Sequence, residues 1–555
     1  MRLLHFLAVR DQPFVAQPIE DSQEYDRWAR AILAGHAPAD AFFQAPLYPY
    51  LLAAIYTLAG ARPNAVYLFQ IALSIAGCWA IYRAGRLLLD RTLGLSAAAL
   101  FASYPLFVLH DVQLLKESLA VTLTAFLLWT LIAAEASGRL RHWAAAGAVA
   151  GLLSLLRENT LLLLPPLALL AWRPDAAWTI RLRRAGVFFV AAALPLIPVA
   201  WRNARAAGGG FMPTTFNAGV SFYIGNHEGA DGTYQPLVPG KQIPGYERSE
   251  SVRLAEEASG RSLRPPEVSR YWLNRSFTWV KAHPGDFVRL QLLKLRLFWS
   301  WYEWPDAIDP YYLISLSPVL RLPWLDFGGV CILALAGLWM LRRGIGNYAP
   351  VLIWVVGSTF ATTIFFVFSR YRLPIVPALI LLAALPLHAL ATAWRSQRKP
   401  AILGLAALLA VAVVAPRLPG YGPRWDLVHF NLGRAHQEAG RIEDAKREYE
   451  LALRANPRDF LSYLNLGNIA ARGGQMAEAT SRFARAVELE PRSDDAESNL
   501  GGALLALGRL DEARAHLQRS LALNPRNSFA ARNMEVLRRR DPAAKVEPGN
   551  TPPLY

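Results

Sequence analysis

Ten apolar segments recur along the chain, at roughly residues 64–89, 92–109, 118–135, 143–156, 160–172, 185–201, 324–341, 348–368, 373–394 and 401–416. They decide the class of fold, because hydrocarbon offers no partner to a backbone N–H or C=O and only a helix of about 20 residues satisfies them all within one segment. Several of the runs fall short of that length, yet their number and spacing predict an all-α, polytopic transmembrane domain. With 54% hydrophobic and only 18% charged residues, the balance is more apolar than a soluble chain of 555 residues would carry. The formal charge of +16 comes mostly from arginines lying between the apolar runs rather than on one stripe. That placement points to lipid phosphate and membrane orientation and away from nucleic acid. Cys78 and Cys331 each sit inside an apolar run and read as packing residues with no disulfide or metal role. Met1 to Val9 is apolar but too short to span, and no small-residue cleavage site follows it.

Arginines set the orientation. Arg83, Arg86 and Arg91, then Arg139 and Arg141, then Arg173, Arg181, Arg183 and Arg184 fall in connections that the positive-inside rule makes cytoplasmic, as it does for Arg342, Arg343, Arg395, Arg398 and Lys399. Alternation places residues 10–63, 110–117, 157–159, 202–323, 369–372 and everything after about 417 outside. Residues 202–286 are polar and rich in Gly and Pro, and with GNHEGADGTY at 225–234 they read as an ordered outer loop. Residues 287–304, FVRLQLLKLRLFWSWYEW, are interrupted by Arg289, Lys294 and Arg296, which predicts an interfacial amphipathic helix rather than a span.

After Arg417 the composition turns charged and alanine-rich, and a period of 34 residues appears. Pro457, Pro491 and Pro525 mark it, as do Gly433, Gly467 and Gly501, and Ala445, Ala479 and Ala513, with Leu432, Leu466 and Leu500 and then Tyr449, Phe483 and Leu517 in phase. The pattern looks like the tetratricopeptide repeat: small residues let paired helices approach, large apolar ones fill the seam, and proline breaks the chain between repeats. Three repeats over about 426–527 and a closing helix near 528–540 are predicted, giving a membrane domain over 1–418, a repeat α-solenoid over 426–540 and a disordered tail over 541–555.

Candidate chemistry starts in IEDSQEYDRWARAILAG (19–35), where Asp21 reads either as the cap of a helix carrying Tyr25, Trp28, Ala29 and Ile32 or as a reactive carboxylate at the membrane surface. Arg370 and Arg372, bracketing Tyr371, offer forked donors suited to phosphate, against the plainer reading of interfacial snorkelling arginines. Lys294 is a further phosphate candidate, and a lipid-headgroup role competes for it. His110, Asp111 and Glu117 could hold a divalent ion or contact an acceptor; alternatively the two acids cap helix ends and Lys116 pairs locally. Arg157 and Glu158, between two apolar runs, are either a buried structural pair or acceptor contacts. Asn226, His227 and Glu228 fit turn chemistry.

These positions occur in a set order with APLYPYLLA (45–53), HDVQLLKES (110–118), LLREN (155–159), WRN (201–203), GN (225–226) and SRYRLPIVP (369–377). The order resembles the GT-C glycosyltransferases of the protein O-mannosyltransferase and lipid A aminoarabinose transferase type, family 39, over about residues 12–395. The resemblance implies an inverting transfer of a sugar from polyprenyl phosphate to a protein, lipid or cell-surface glycan on the outer face of a bacterial plasma (inner) membrane, with the repeats periplasmic. It implies that Asp21 is the general base. The second place of that motif is often Glu in the family and is Ser22 here, so a two-carboxylate metal site at this spot is not expected, and a divalent ion stays a candidate only. The family pattern also has a complete span before the acidic loop, which would make eleven spans where ten are counted here. The implied partners are the polyprenyl-linked sugar, membrane lipid and a protein held by the repeats.

Two other classes fit parts of the pattern. A polyprenyl-linked glycan ligase or polymerase also combines many spans with a large outer loop. A non-enzymatic scaffold would use the repeats alone, although ten spans exceed what an anchor needs. Few intramembrane charges and no inverted repetition count against a transporter.

Overall fold

The computed structural model describes residues 1–16, 18–172, 176–306 and 308–540, and among them there is helix and no strand. Arg173, used above for orientation, and the tail 541–555 lie outside the described residues. The chain forms two compact units: Met1–Gln235 with Ile243–Arg424, and Pro236–Gln242 with the chain from Trp425 onward.

Among the described residues of the first unit, five helices are long and apolar enough to cross a membrane: Pro63–Leu88, Glu117–Ser137, Trp178–Ala206, Ser369–Arg395 and Lys399–Arg417. The other five apolar runs are helical but shorter than a spanning helix. Residues 92–109 divide at Pro105 into Arg91–Ser103 and Pro105–His110. The run at 160–172 becomes a 3-10 turn Glu158–Leu163 and a short helix Leu164–Ala168 around Pro165 and Pro166. Leu140–Ser154, Phe327–Met340 and Ala349–Thr363 have 15, 14 and 15 residues, or about 22 Å at 1.5 Å per residue, less than the ~30 Å of hydrocarbon. Proline cannot donate to the helix ladder and its ring clashes with the preceding turn, so apolar composition outruns helix length at Pro105, Pro165 and Pro166.

Small residues bring the helices together. Gly147 and Gly151 lie one turn apart on Leu140–Ser154, and a Cβ on either would come within 2.1 Å of the Phe188 carbonyl oxygen or 2.2 Å of the Ala192 carbonyl oxygen of Trp178–Ala206. This is a small-xxx-small crossing, where bare backbone lets two helices meet.

The long loop predicted after 202 is ordered and helical, with Ala218–Gly225, Pro244–Ser259 and Pro265–Ala282. Tyr234 Oη donates to Glu247 in the first turn of Pro244–Ser259. Burial, opposed by that hydrogen bond and aided by the charge of Asp21, pushes the Glu247 carboxyl up to about 7. The amphipathic helix predicted at 287–304 runs as Pro284–Phe298, and Lys294 on it is fully buried rather than interfacial.

In the second unit, helix pairs Trp425–Glu438 with Ile442–Ala455, Phe460–Arg472 with Met476–Leu489, and Asp494–Ala506 with Leu510–Leu523 are followed by Ser528–Arg540. The seam matches the repeat pattern. A Cβ on Gly433, Gly467 or Gly501 would meet Tyr449 at 2.7 Å, Phe483 at 2.5 Å or Leu517 at 2.7 Å.

Two outcomes are expected. Gly151→Leu should force the helix crossing apart and cost about 1–3 kcal/mol, read as a lower melting temperature of the detergent-solubilised protein. Glu247 titrates near 7 folded against 4.5 as the reference, so the folded state keeps a proton that the unfolded chain has lost. Its contribution is fully present below about 4.5 and is lost as pH rises through about 7. Because the side chain is only half-buried, the expected loss between pH 5 and 8 is about 1–2 kcal/mol, and Glu247→Gln should flatten that part of the melting profile.

Candidate active site

Helix Glu20–Leu33 packs Ser22, Tyr25 and Ala29 inward, spacing that places one face of the helix against the domain. Asp21 lies beside that face in the first turn, and the cap position is Ile19, with no side-chain capping bond. Asp21 is therefore not a cap: its Oδ2 is ion-paired with Arg370 Nη2 at 2.7 Å. The rest of the acidic motif is tied down elsewhere. Asp26 pairs with Arg30 at 2.7 Å and accepts from Tyr56 Oη at 2.5 Å, and Glu24 pairs with Arg27.

Arg370 sits on the single helical turn Ser369–Arg372 that precedes the long helix Val376–Arg395. Its Nε also faces Asp306 Oδ2 at 2.6 Å, so one guanidinium lies between two carboxylates. Burial raises the Asp306 carboxyl above its ordinary value, Arg370 opposes that rise, and Asp21 adds to it. Asp306 had no signal in the sequence beyond its place in a Trp-Pro-Asp loop.

Arg157 follows the end of Leu140–Ser154 in extended conformation, just before the turn Glu158–Leu163. Its Nη2 donates to Glu117 Oε1 at 2.5 Å and to the Arg370 carbonyl at 3.2 Å, and its guanidinium lies 4.8 Å from the Tyr371 ring centroid. The adjacent-pair reading of Arg157 with Glu158 gives way to this pair with Glu117, while Glu158 accepts from Thr215 Oγ1 at 3.3 Å. Arg157 Nε is buried and has no hydrogen-bond partner among the described residues.

Asp21, Lys116, Arg157, Glu158, Arg370 and Tyr371 line one cavity of about 380 Å³. Lys116, read in the sequence as a local pairing partner, belongs to this wall, and burial lowers its ammonium pKa. Three cations and two carboxylates face a space large enough for a sugar phosphate, with Tyr371 as an aromatic face. Such a wall can bind an anion and leave a carboxylate beside it.

Other sequence candidates lie apart from this cavity. Arg372, two residues from Arg370, spends its fork on the carbonyls of Phe298, Ser300 and Tyr302 and on Glu303 Oε2 at 2.6 Å, and is 1% exposed. It clamps the chain 298–303. Lys294 Nζ donates to Asn226 Oδ1 at 2.8 Å, and Asn226 is itself buried and donates to the Phe222 and Ile364 carbonyls. Neither lines the cavity, and in place of the phosphate contact expected from the sequence both brace neighbouring chain.

His110, Asp111 and Glu117 do not converge. Asp111 is fully buried and accepts from Arg2 at 2.7 Å, Ser74 at 2.6 Å and Ser118 at 2.7 Å. His110 Nδ1 lies 2.8 Å from the Leu106 carbonyl, and Glu117 serves Arg157. With the Asp111 oxygens already occupied by three donors, this set does not fit a shared divalent ion, and no group of three or more His, Cys, Asp or Glu among the described residues is arranged to hold one.

Residues 43–201 match the family described as dolichyl-phosphate-mannose-protein mannosyltransferase, and residues 430–481 and 470–534 match tetratricopeptide repeats. No curated protein matches the chain. Among solved structures, the oligosaccharyltransferase of Archaeoglobus fulgidus in its apo form is 14% identical, covering 81% of this chain and 58% of that one, with a TM-score of 0.42. The same organism's oligosaccharyltransferase with an inhibitory peptide and a dolichol-phosphate is 14% identical over 81% of this chain and 58% of its own, with a TM-score of 0.44. The first tetratricopeptide domain of human RPAP3 is 27% identical, covering 22% of this chain and 96% of that one, with a TM-score of 0.21. This chain thus spans just over half the length of the oligosaccharyltransferases it matches. The family match, the apolar helices and the repeats together describe a membrane protein with a region similar to the mannosyltransferase family over residues 43–201 and C-terminal tetratricopeptide repeats.

Proposed function

We propose that the enzyme transfers a sugar from a polyprenyl-phosphate donor to a hydroxyl of a protein, lipid or cell-surface glycan at the outer face of a bacterial plasma membrane, with inversion. The supporting observation is the ion pair of Asp21 with Arg370 on the wall of one cavity. The family match supports the class of donor.

In this reading the donor phosphate takes the place of Asp21 as the partner of Arg370, with Arg157 Nε and Lys116 completing the anion site. A guanidinium exchanges one carboxylate for one phosphate at little electrostatic cost, and the exchange frees the carboxylate where the acceptor must lie. The acceptor oxygen then attacks the anomeric carbon, the bond from that carbon to the phosphate oxygen breaks, and Asp21 takes the acceptor proton as the oxocarbenium-like centre forms. The leaving group is polyprenyl phosphate, already anionic and held by the cations, so no acid is required for its departure. Asp306 keeps Arg370 aimed when Asp21 lets go. Positive-inside counting supports the outer face for this site and for the repeats.

Turnover of a short-chain polyprenyl-phosphate sugar by the purified protein is the test. Asp21→Asn should lower the rate by at least about 10²-fold with donor affinity kept. Arg370→Lys should weaken the donor KM by about tenfold or more, since a point charge replaces a two-pronged donor. Full activity in Asp21→Asn would remove the base from the reaction.

A further inference from the structure

The second unit contains a piece of chain from far outside the repeats. Residues Pro236–Gln242, Pro-Leu-Val-Pro-Gly-Lys-Gln, cluster with Trp425 and the helices that follow it. Within this piece Lys241 N–H donates to the Val238 carbonyl at 3.0 Å, with Pro239 and Gly240 between them and Gly240 at φ +82°. Pro at the second and a left-handed Gly at the third place are the requirements of a type II turn, so the heptapeptide is pre-shaped with little entropy left to lose.

The turn is seated on the repeats. A Cβ at Gly240 would lie 3.4 Å from Leu461 and 3.6 Å from Phe460, so its backbone rests on the first residues of helix Phe460–Arg472. Lys241 Nζ is ion-paired with Asp495 and lies 3.9 Å from Asp494 Oδ1, in the first turn of helix Asp494–Ala506. The site is built rather than incidental. Asp494 is buried, and its Oδ2 is held by Asn524 at 2.8 Å and Asn527 at 2.9 Å from the end of the same repeat, while the Lys241 side chain is only 11% exposed. Two successive repeats thus supply an apolar seat for Gly240 and an acidic pocket for Lys241.

We propose that Pro236–Gln242 is a built-in ligand of the tetratricopeptide repeats, and that Phe460, Leu461, Asp494 and Asp495 form a site that reads a lysine displayed on a Pro-Gly turn. A tethered ligand faces its site at an effective concentration on the order of millimolar. The site is therefore closed to weak partners and opens to one that presents the same cationic turn more strongly.

The test uses the full-length protein in detergent and a labelled peptide of sequence Pro236–Gln242 with blocked ends. In a variant whose residues 236–242 are replaced by Gly and Ser at equal length, the peptide should bind at least about tenfold more tightly than to the wild type. Adding Asp495→Asn to that variant should abolish the gain. Equal affinity for wild type and replaced protein, binding to neither, or indifference to Asp495→Asn would each overturn the proposal. Limited trypsin cleavage after Lys241 gives a second readout that needs no peptide. Asp495→Asn alone should speed it at least tenfold, Lys241→Glu with Asp495→Lys should restore protection of the segment against a less selective protease, and an unchanged rate in Asp495→Asn contradicts the seated turn.

Discussion

A single guanidinium held between Asp21 and Asp306 organises the first unit. Arg370 begins an apolar helix, where an unpaired charge would be costly, and two carboxylates from distant parts of the sequence compensate it. In doing so they pin the amphipathic helix Glu20–Leu33 and the loop around Asp306 to the head of Val376–Arg395. Its carbonyl accepts from Arg157, which is in turn balanced by Glu117 at the head of another long helix. The result is a connected set of alternating charges at the ends of apolar helices, arranged around one cavity. Charges that are paired but exchangeable are suited to a substrate that is itself an anion.

Braces elsewhere keep this set in place without touching the cavity. Arg372 ties the chain at 298–303 through three carbonyls and one carboxylate, Lys294 fixes Asn226, and Arg2 neutralises Asp111. Each is a largely buried basic side chain whose donors are directed at specific acceptors, so removing it leaves buried polar groups unmatched. They explain why so many ionisable residues can lie in an apolar protein with only a few facing the cavity.

The repeats were the most legible part of the sequence, because each pair of helices solves the same packing problem: Gly433, Gly467 and Gly501 are small where Tyr449, Phe483 and Leu517 are large. Helical class was legible for the same reason, from hydrophobic runs. Helix length was not, since Pro105, Pro165 and Pro166 interrupt runs that composition alone reads as continuous. At the site, Asp21, Arg157 and Arg370 stood out as charges in apolar surroundings, but their partners are long-range and leave no local trace. Arg370 and Arg372 looked equivalent as neighbours of Tyr371; a single helical turn sends them to opposite tasks. Lys116 and Asp306 carried no pattern that separates them from ordinary loop charges.

The central claim is that donor phosphate and the Asp21 carboxylate are alternatives at Arg370. Equilibrium binding of a sugar-free polyprenyl phosphate to the purified protein addresses it without relying on turnover. Asp21→Asn, lacking the competing anion, should bind at least as tightly as the wild type, while Arg370→Gln should bind about tenfold or more weakly. Wild-type affinity in Arg370→Gln, or a marked loss in Asp21→Asn, would contradict the exchange.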